Sequence, residues 1–201
     1  MKLIRTLLSL AGVSLLATSC ASFSGNKLPQ VADTPATNVK KIPLTYTMTS
    51  GRGNTGGART ETPAGTSTHF AKPMVDAFNK SERFSSVSQG KGGAVHVDVD
   101  VLNHGNAGVA FASGFISGFS LFTIPGFGTD HFKLTATART SSGKSRQYIL
   151  EDSMTTAFWL PLIVAAPFAS PTSVYPKVHE NMYRNLMLNM ERDGILPKAG
   201  N

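Results

Sequence analysis

Residues that alternate between apolar and polar predict the strands of this chain. From Ala94 to Leu102, four valines alternate with His96, Asp98 and Asp100. Such a period of two places one face of a strand against a core and leaves the other face in water. Similar alternation or strand-like composition occurs over residues 42–48, 84–89, 132–139 and 145–152. Because a short turn at 141–144 joins the last two as a hairpin, the pattern predicts a mainly antiparallel sheet of four or five strands.

Two further stretches have the helical period instead. Phe70, Met74 and Phe78 share one face of a helix that we expect over residues 68–80. A second helix is expected over residues 175–193, with its apolar face at Val178, Met182, Leu186 and Met190. Amphipathic helices beside half-buried strands predict an α+β fold, in which the sheet packs against two helices.

Two uncharged, apolar segments flank the hairpin, over residues 109–127 and 158–168. Three interpretations are open: transmembrane helices, ordinary core, or a lobe exposed to a membrane or a partner. Pro161 and Pro167 interrupt the second segment, which disfavours a spanning helix. The residues that would form an exposed docking surface are Phe115, Phe119, Phe122, Phe127, Trp159, Leu160, Leu162 and Phe168. Because both segments leave from neighbouring strand ends, we expect them to contact each other as one lobe.

The chain starts with the features of an export signal. Lys2 and Arg5 form a short positive head, an apolar run extends to Leu16, and small residues precede Cys20, the only cysteine. This order predicts a secretory signal peptide over residues 1–19. Its apolar run is shorter than the ~20 residues that a spanning helix needs.

The residues before the cysteine, LLATSC, resemble a bacterial lipobox, although Ala17 stands where that motif usually has Leu. The resemblance implies that Cys20 becomes the first residue of the mature chain and carries acyl chains on its sulfur and its amine. Ala21, where an inner-membrane protein would have Asp, implies the outer membrane, with the chain facing the periplasm. The alternative is cleavage by the ordinary signal peptidase, which would release a soluble exported protein with a free thiol.

The domain organisation follows from composition. Residues 20–41 are predicted to be the lipidated N-terminus and a flexible tether, because Ser, Asn, Thr, Ala and Pro dominate and apolar periodicity is absent. Residues 42–197 are then expected to form a single α+β domain. With one cysteine, this domain has no intrachain disulfide and depends on packing for its stability.

The charge balance limits the partners. The chain carries a formal charge of +7; removal of Lys2 and Arg5 with the leader reduces 19 basic residues to 17 against 12 acidic ones, which gives +5. A moderate excess of this kind favours anionic headgroups or envelope polymers. No dense run of Lys and Arg predicts a nucleic-acid interface.

No arrangement of residues predicts catalysis or a cofactor. Gly51 and Gly56 have the spacing of a phosphate-binding loop, but the following residues lack its Lys. The pairs at 130–131 and 151–152 are neighbours on predicted strands, so their side chains point in opposite directions. His96, Asp98 and Asp100 share a face, but nothing nearby completes a metal-ligand set, and we expect a solvated face. A hydrolase that acts on envelope polymers through residues distant in sequence is the enzymatic alternative.

Several motifs together resemble small proteobacterial envelope lipoproteins of unknown function. They are PGFGTD at 125–130, Thr155-Thr156, WLPL at 159–162 and Pro167-Phe168. The resemblance covers residues 97–196 and implies a location, not a reaction. In element order the chain also resembles envelope lipoproteins that accompany transport or secretion assemblies.

The expected function is therefore a non-catalytic outer-membrane lipoprotein, a structural or accessory subunit of an envelope assembly. Its expected partners are the membrane, through Cys20, and either an envelope protein or a second copy of the chain. The alternative is a periplasmic binding module for a lipid or another apolar ligand held between the two apolar segments. No metal, cofactor or nucleic acid is expected.

Overall fold

The computed structural model describes residues 20–33, 35–36, 39–53, 58–62, 67–105, 107–165 and 167–198. The predicted signal peptide lies outside these residues. The strands are β1 (Cys20–Ser24), β2 (Ile42–Gly53), β3 (Arg59–Glu61), β4 (Phe84–Gln89), β5 (Val95–Gly105), β6 (Gly126–Thr140) and β7 (Ser145–Phe158). The helices are α1 (Ser67–Lys80), α2 (Ala107–Phe119), a short 3-10 helix (Leu160–Val164) and α3 (Pro171–Arg192).

Within the described residues, the strands form one sheet in the order β1-β7-β6-β5-β2-β3, with β4 beside β2 as well. β2 runs parallel to β4 and β5, and the other pairs are antiparallel. The predicted α+β class and the mainly antiparallel sheet are confirmed. The described part of the chain has seven strands and three α-helices, more than the four or five strands and two helices predicted.

The predicted alternation of buried and exposed residues is confirmed on the central strands. Val95, Val97, Val99 and Val101 of β5 are buried, as are Phe132, Leu134, Ala136 and Ala138 of β6. These residues form one hydrophobic core with the apolar faces of α1 and α3. Burial of one face explains why period-two strands and period-3.6 helices can be read from the sequence.

The first described residues differ from the predicted free tether. Cys20–Ser24 form the edge strand β1, in which Ala21 and Ser22 are buried against β7. The chain then contacts α3, where Val31 N donates a 2.9 Å hydrogen bond to Asn181 Oδ1. Backbone pairing does not require an apolar pattern, so the polar composition of this segment gave no sign of its contacts with the rest of the fold.

The glycine-rich stretch 50–57, which reads as a flexible loop in the sequence, is in part a strand. Its first four residues, Ser50–Gly53, continue β2 and pair with β5 and β3, while residues 54–57 lie outside the described residues. Residues 90–93 lie in the loop between β4 and β5. Gly90 and Gly92 have positive φ, and a side chain at Gly93 would approach Thr45 N to 2.8 Å. Only glycine fits such a close crossing of the neighbouring strand.

The first apolar segment contains a helix, which the sequence analysis left as one of several open interpretations. α2 covers 13 residues, Ala107–Phe119. Gly114 and Gly118 match a small-residue helix contact pattern. No described atom outside the helix backbone lies within 4 Å of where a Cβ on either glycine would be, so within the described residues neither packs closely against another element. No helix among the described residues combines the length and the apolar composition needed to cross a bilayer.

Candidate functional site

Both apolar segments lie at one end of the sheet, beside Cys20. β1 begins there, β7 ends there and β6 begins there: Phe158 is the register partner of both Cys20 and Gly126. Strand pairing therefore places the predicted lipidation site beside the two apolar segments, although Cys20 and Phe158 are more than a hundred positions apart in the sequence.

Close packing holds α2 against the start of β6. Phe127 N donates a 2.6 Å hydrogen bond to Ser113 Oγ. A Cβ on Gly126 would lie only 2.7 Å from Ser113 O, so the absence of a side chain lets the helix approach the strand. The polar and small residues of the first apolar segment thus face the sheet. Its aromatic residues lie on the other faces of the helix.

The two apolar segments contact each other directly, as predicted. Leu160 N donates to Phe122 O over 2.8 Å, and Ser117 Oγ donates to Phe158 O over 3.1 Å. Trp159 Nε1 donates to Thr123 O over 3.3 Å. We call residues 109–127 and 158–168 together the apolar lobe.

A row of phenylalanines covers the exposed side of α2. Phe111, Phe115 and Phe119 are 77%, 65% and 86% exposed, although large aromatic residues are normally buried. Their rings stack along the helix, with centroids 6.5 Å and 6.4 Å apart. Side chains four residues apart meet on one helix face, so this row is a direct consequence of the sequence spacing.

Most of the predicted docking residues are exposed on the lobe. Exposed are Phe115, Phe119, Phe127, Trp159, Leu160 and Phe168, and partly buried are Phe122 and Leu162. The structure adds five exposed residues that the sequence analysis did not select: Phe111, Ile116, Leu121, Ile124 and Val164. The i, i+4, i+8 spacing of Phe111, Phe115 and Phe119 is the signal that could have identified the first of them.

Hydrogen bonds inside the lobe occupy its polar side chains. Ser117 and Trp159 bond across the two segments, and Ser113 accepts from the backbone of β6. Ser120 Oγ donates to Ser117 O, and Thr123 Oγ1 donates to Ser120 O. These four hydroxyl residues and the indole are the only hydrogen-bonding side chains in the two segments. The exposed side chains of the lobe are therefore mainly hydrocarbon.

The polar face of the sheet is a network of charged and hydroxyl side chains. Asp98 accepts from Thr47 and Arg139 and contacts His96, while Asp100 accepts from Thr49 and Arg59. The hydrogen bond from Thr47 lowers the pKa of Asp98, with help from Arg139 and His96. The guanidinium of Arg59 similarly lowers the pKa of Asp100. These carboxylates are occupied in cross-strand contacts, as expected for a solvated face.

The other candidate polar pairs also have structural partners. Asp152 accepts hydrogen bonds from the backbone N–H groups of Lys27 and Ser153, and Glu151 lies 3.7 Å from Lys133. His131 Nδ1 lies 3.4 Å from Lys27 Nζ. Among the residues described, no group of three or more His, Cys, Asp and Glu side chains is placed to hold a metal ion.

An open groove of about 300 Å³ lies between α1 and β2, away from the apolar lobe. It is lined by Tyr46, Met48, Ala71, Lys72, Val75, Asp76 and Gln89. Lys72 and Asp76 form an ion pair of 2.6 Å at this groove. Its volume is at the lower end of the range of small-molecule sites.

Comparison with known proteins gives only distant structural likenesses. No family model and no curated protein matches the chain. Protein XCC0632 from Xanthomonas campestris, of the DUF330 family, matches with a TM-score of 0.37 and 12% identity, over 81% of this chain and 89% of that one. A PelC dodecamer from Paraburkholderia phytofirmans matches with a TM-score of 0.25 and 13% identity, over 79% and 95%. At these scores neither likeness assigns a function, which has to be argued from the residues of this chain.

Proposed function

We propose that this chain is a non-catalytic outer-membrane lipoprotein, held by acyl chains on Cys20, that serves as a structural or accessory subunit of an envelope assembly. The single observation that carries the proposal is the exposed apolar lobe beside Cys20. A contiguous exposed apolar surface is unusual on a free soluble protein and marks a site of interaction with a membrane or a partner.

The position of Cys20 supports the anchor. It is the first residue of β1 and is partly exposed, so acyl chains on its sulfur and amine can leave the fold without disturbing the core. Strand β1 begins at this residue, so an anchor on Cys20 would keep the domain close to the bilayer surface. Several acyl chains on one residue would hold it there, because each buried CH₂ contributes ~0.8 kcal/mol.

The anchor is tested by metabolic labelling. We expect Cys20→Ala to abolish incorporation of radiolabelled palmitate and to impair removal of the leader, because the thiol is the acceptor of the lipid. Phe23→Ala, a change at an exposed residue of the same strand, should leave both unchanged. Normal processing and unchanged membrane fractionation of Cys20→Ala would contradict the anchor.

The accessory role is tested by native electrophoresis of envelopes extracted in mild detergent. We expect the chain to migrate in one defined complex larger than a single acylated copy. If the acylated chain migrates only as a monomer, the anchor can stand but the assembly role fails.

The groove between α1 and β2 favours a second candidate, a binding module for an apolar ligand. The sequence suggested a ligand site between the two apolar segments, but these segments bond to each other directly. We therefore assign the ligand site of this second candidate to the groove. Saturable binding of a fluorescent fatty acid that Val75→Asp abolishes would support this function, because Val75 lines the groove. Unchanged binding in that variant would exclude the groove.

A further inference from the structure

We propose that the apolar lobe inserts into the same bilayer that holds the acyl chains of Cys20, so that the domain is attached at two points and its orientation is fixed. This inference rests on the proposed lipid anchor and adds the occupant of the lobe: a lipid surface, and not a protein partner.

The first argument is position. Cys20 pairs with Phe158, the first residue of the second apolar segment, and the next residue is Trp159. Gly126, at the end of the first segment, pairs with Phe158 from the other side. An acylated Cys20 therefore brings both apolar segments to the membrane surface, and no intervening spacer holds them away.

The second argument is the state of the polar groups. A surface that enters hydrocarbon must satisfy its hydrogen-bonding groups internally, because lipid chains offer no partners. The polar side chains of the lobe meet this condition: Ser113, Ser117, Ser120, Thr123 and Trp159 all bond within the chain. A protein partner would not require this condition, because its own polar groups could satisfy those of the lobe.

The third argument is composition. Charged residues are absent from 107–129 and from 153–176, so insertion of the lobe would bury no Lys, Arg, Asp or Glu side chain from these stretches. Phe115, Phe119, Trp159 and Phe168 are all exposed on the lobe. Aromatic residues of this kind favour the interface between headgroups and acyl chains. Because α2 is too short to span, the lobe would enter one leaflet only.

The test is Trp159 fluorescence in proteoliposomes, because Trp159 is the only tryptophan of the chain. The full-length acylated protein is purified from membranes and reconstituted at low density into vesicles of phosphatidylglycerol and phosphatidylcholine, with or without bromine on the acyl chains. We expect the brominated chains to remove most of the Trp159 emission, and iodide in the water to remove little. Both quenchers act at contact, so together they report which medium surrounds the indole.

Matched variants identify the residues responsible. Phe115→Asp with Phe119→Asp should reduce quenching by brominated lipid severalfold and increase quenching by iodide, because two charges would oppose insertion. Ile149→Asp changes an exposed apolar residue in the middle of β7, outside the lobe, and should alter neither. Far-UV circular dichroism checks that each variant is folded. Even without a variant, comparing the quenching of the unmodified protein in brominated and plain vesicles shows whether the lobe inserts.

Two results would overturn the inference. If iodide quenches Trp159 and brominated lipid does not, the lobe is in water. If neither quenches it, protein covers the lobe, either a second copy or a partner. The mass of the N-terminal peptide from the same preparation reports acylation of Cys20 separately, so that failure of the anchor is distinguished from failure of the lobe to insert.

Discussion

At the scale of single residues, the alternation along β6 decides which substitutions the fold can tolerate. Leu134 is fully buried in the core, and its neighbour Thr135 is partly exposed on the opposite face of the sheet. The two residues are adjacent in sequence, have similar backbone geometry and differ in the medium around their side chains.

We expect Leu134→Ala to lower the free energy of unfolding by about 2–5 kcal/mol, because it leaves a cavity in a close-packed core. Thr135→Ala should lower it by less than about 1 kcal/mol, because no core contact is lost. Urea denaturation followed by circular dichroism measures both. Similar losses for the two variants would mean that the strand faces are assigned the wrong way round.

The same scale identifies the side chains that contact His96, Asp98 and Asp100. Hydroxyl and cationic side chains on the neighbouring strands and on β3 already bond to the two carboxylates. The neighbours Thr47, Thr49 and Arg139 come from β2 and β6, which only the sheet register brings beside β5. The sequence predicted a solvated face, and the register identifies the particular partners.

At the scale of elements, the contact between α2 and β6 determines the shape of the lobe. Two glycines of β6 lie under this helix, but they differ in the space around them. A Cβ on Gly126 would lie 2.7 Å from the backbone oxygen of Ser113, whereas a Cβ on Gly128 would lie 3.5 Å from Ala110 Cβ, an ordinary contact.

We therefore expect Gly126→Ala to destabilise the protein by about 1–3 kcal/mol, because the helix must move away from the strand. Gly128→Ala, two residues along the same strand, should change stability by less than about 0.5 kcal/mol. Thermal unfolding gives the two values, and hydrogen exchange of the α2 amides should rise in the first variant only. Faster exchange in both variants, or in neither, would contradict this packing.

At the scale of the whole molecule, the N-terminal segment is attached to the last helix. Pro29 O accepts hydrogen bonds from Asn181 Nδ2 at 3.1 Å and from Asn185 Nδ2 at 2.9 Å, and Val31 N donates to Asn181 Oδ1. Both asparagines are buried on α3. These contacts, with β1, define the path of the chain from Cys20 across the domain.

Asn181→Ala should release this segment, because it leaves Val31 N without its partner, at a cost of about 1–3 kcal/mol. We expect limited trypsin digestion to cut after the exposed Lys27 several times faster in this variant. Asn189→Ala, a change at a partly exposed position on the same helix, is the control and should digest like the unmodified protein. Equal rates in all three proteins would show that Asn181 does not hold the segment.

The elements with a regular period were determined by the sequence alone. The valines of β5, the hairpin of β6 and β7, and the apolar faces of α1 and α3 follow from a local rule: an element that buries one face repeats its apolar residues with its own period. The apolar segments were also visible in the sequence, because an absence of charge over twenty residues is a local property.

Only the tertiary structure decided the rest. The edge strand β1 pairs Cys20 with Phe158, a contact between residues far apart in sequence that leaves no local pattern. The sequence left helix α2 as one of several interpretations because apolar residues surround it and show no buried face. Its row of phenylalanines is identified as exposed only because β6 contacts the small residues of the helix. Composition could show that the chain has apolar segments, but whether they are core or surface depends on what the fold places against them.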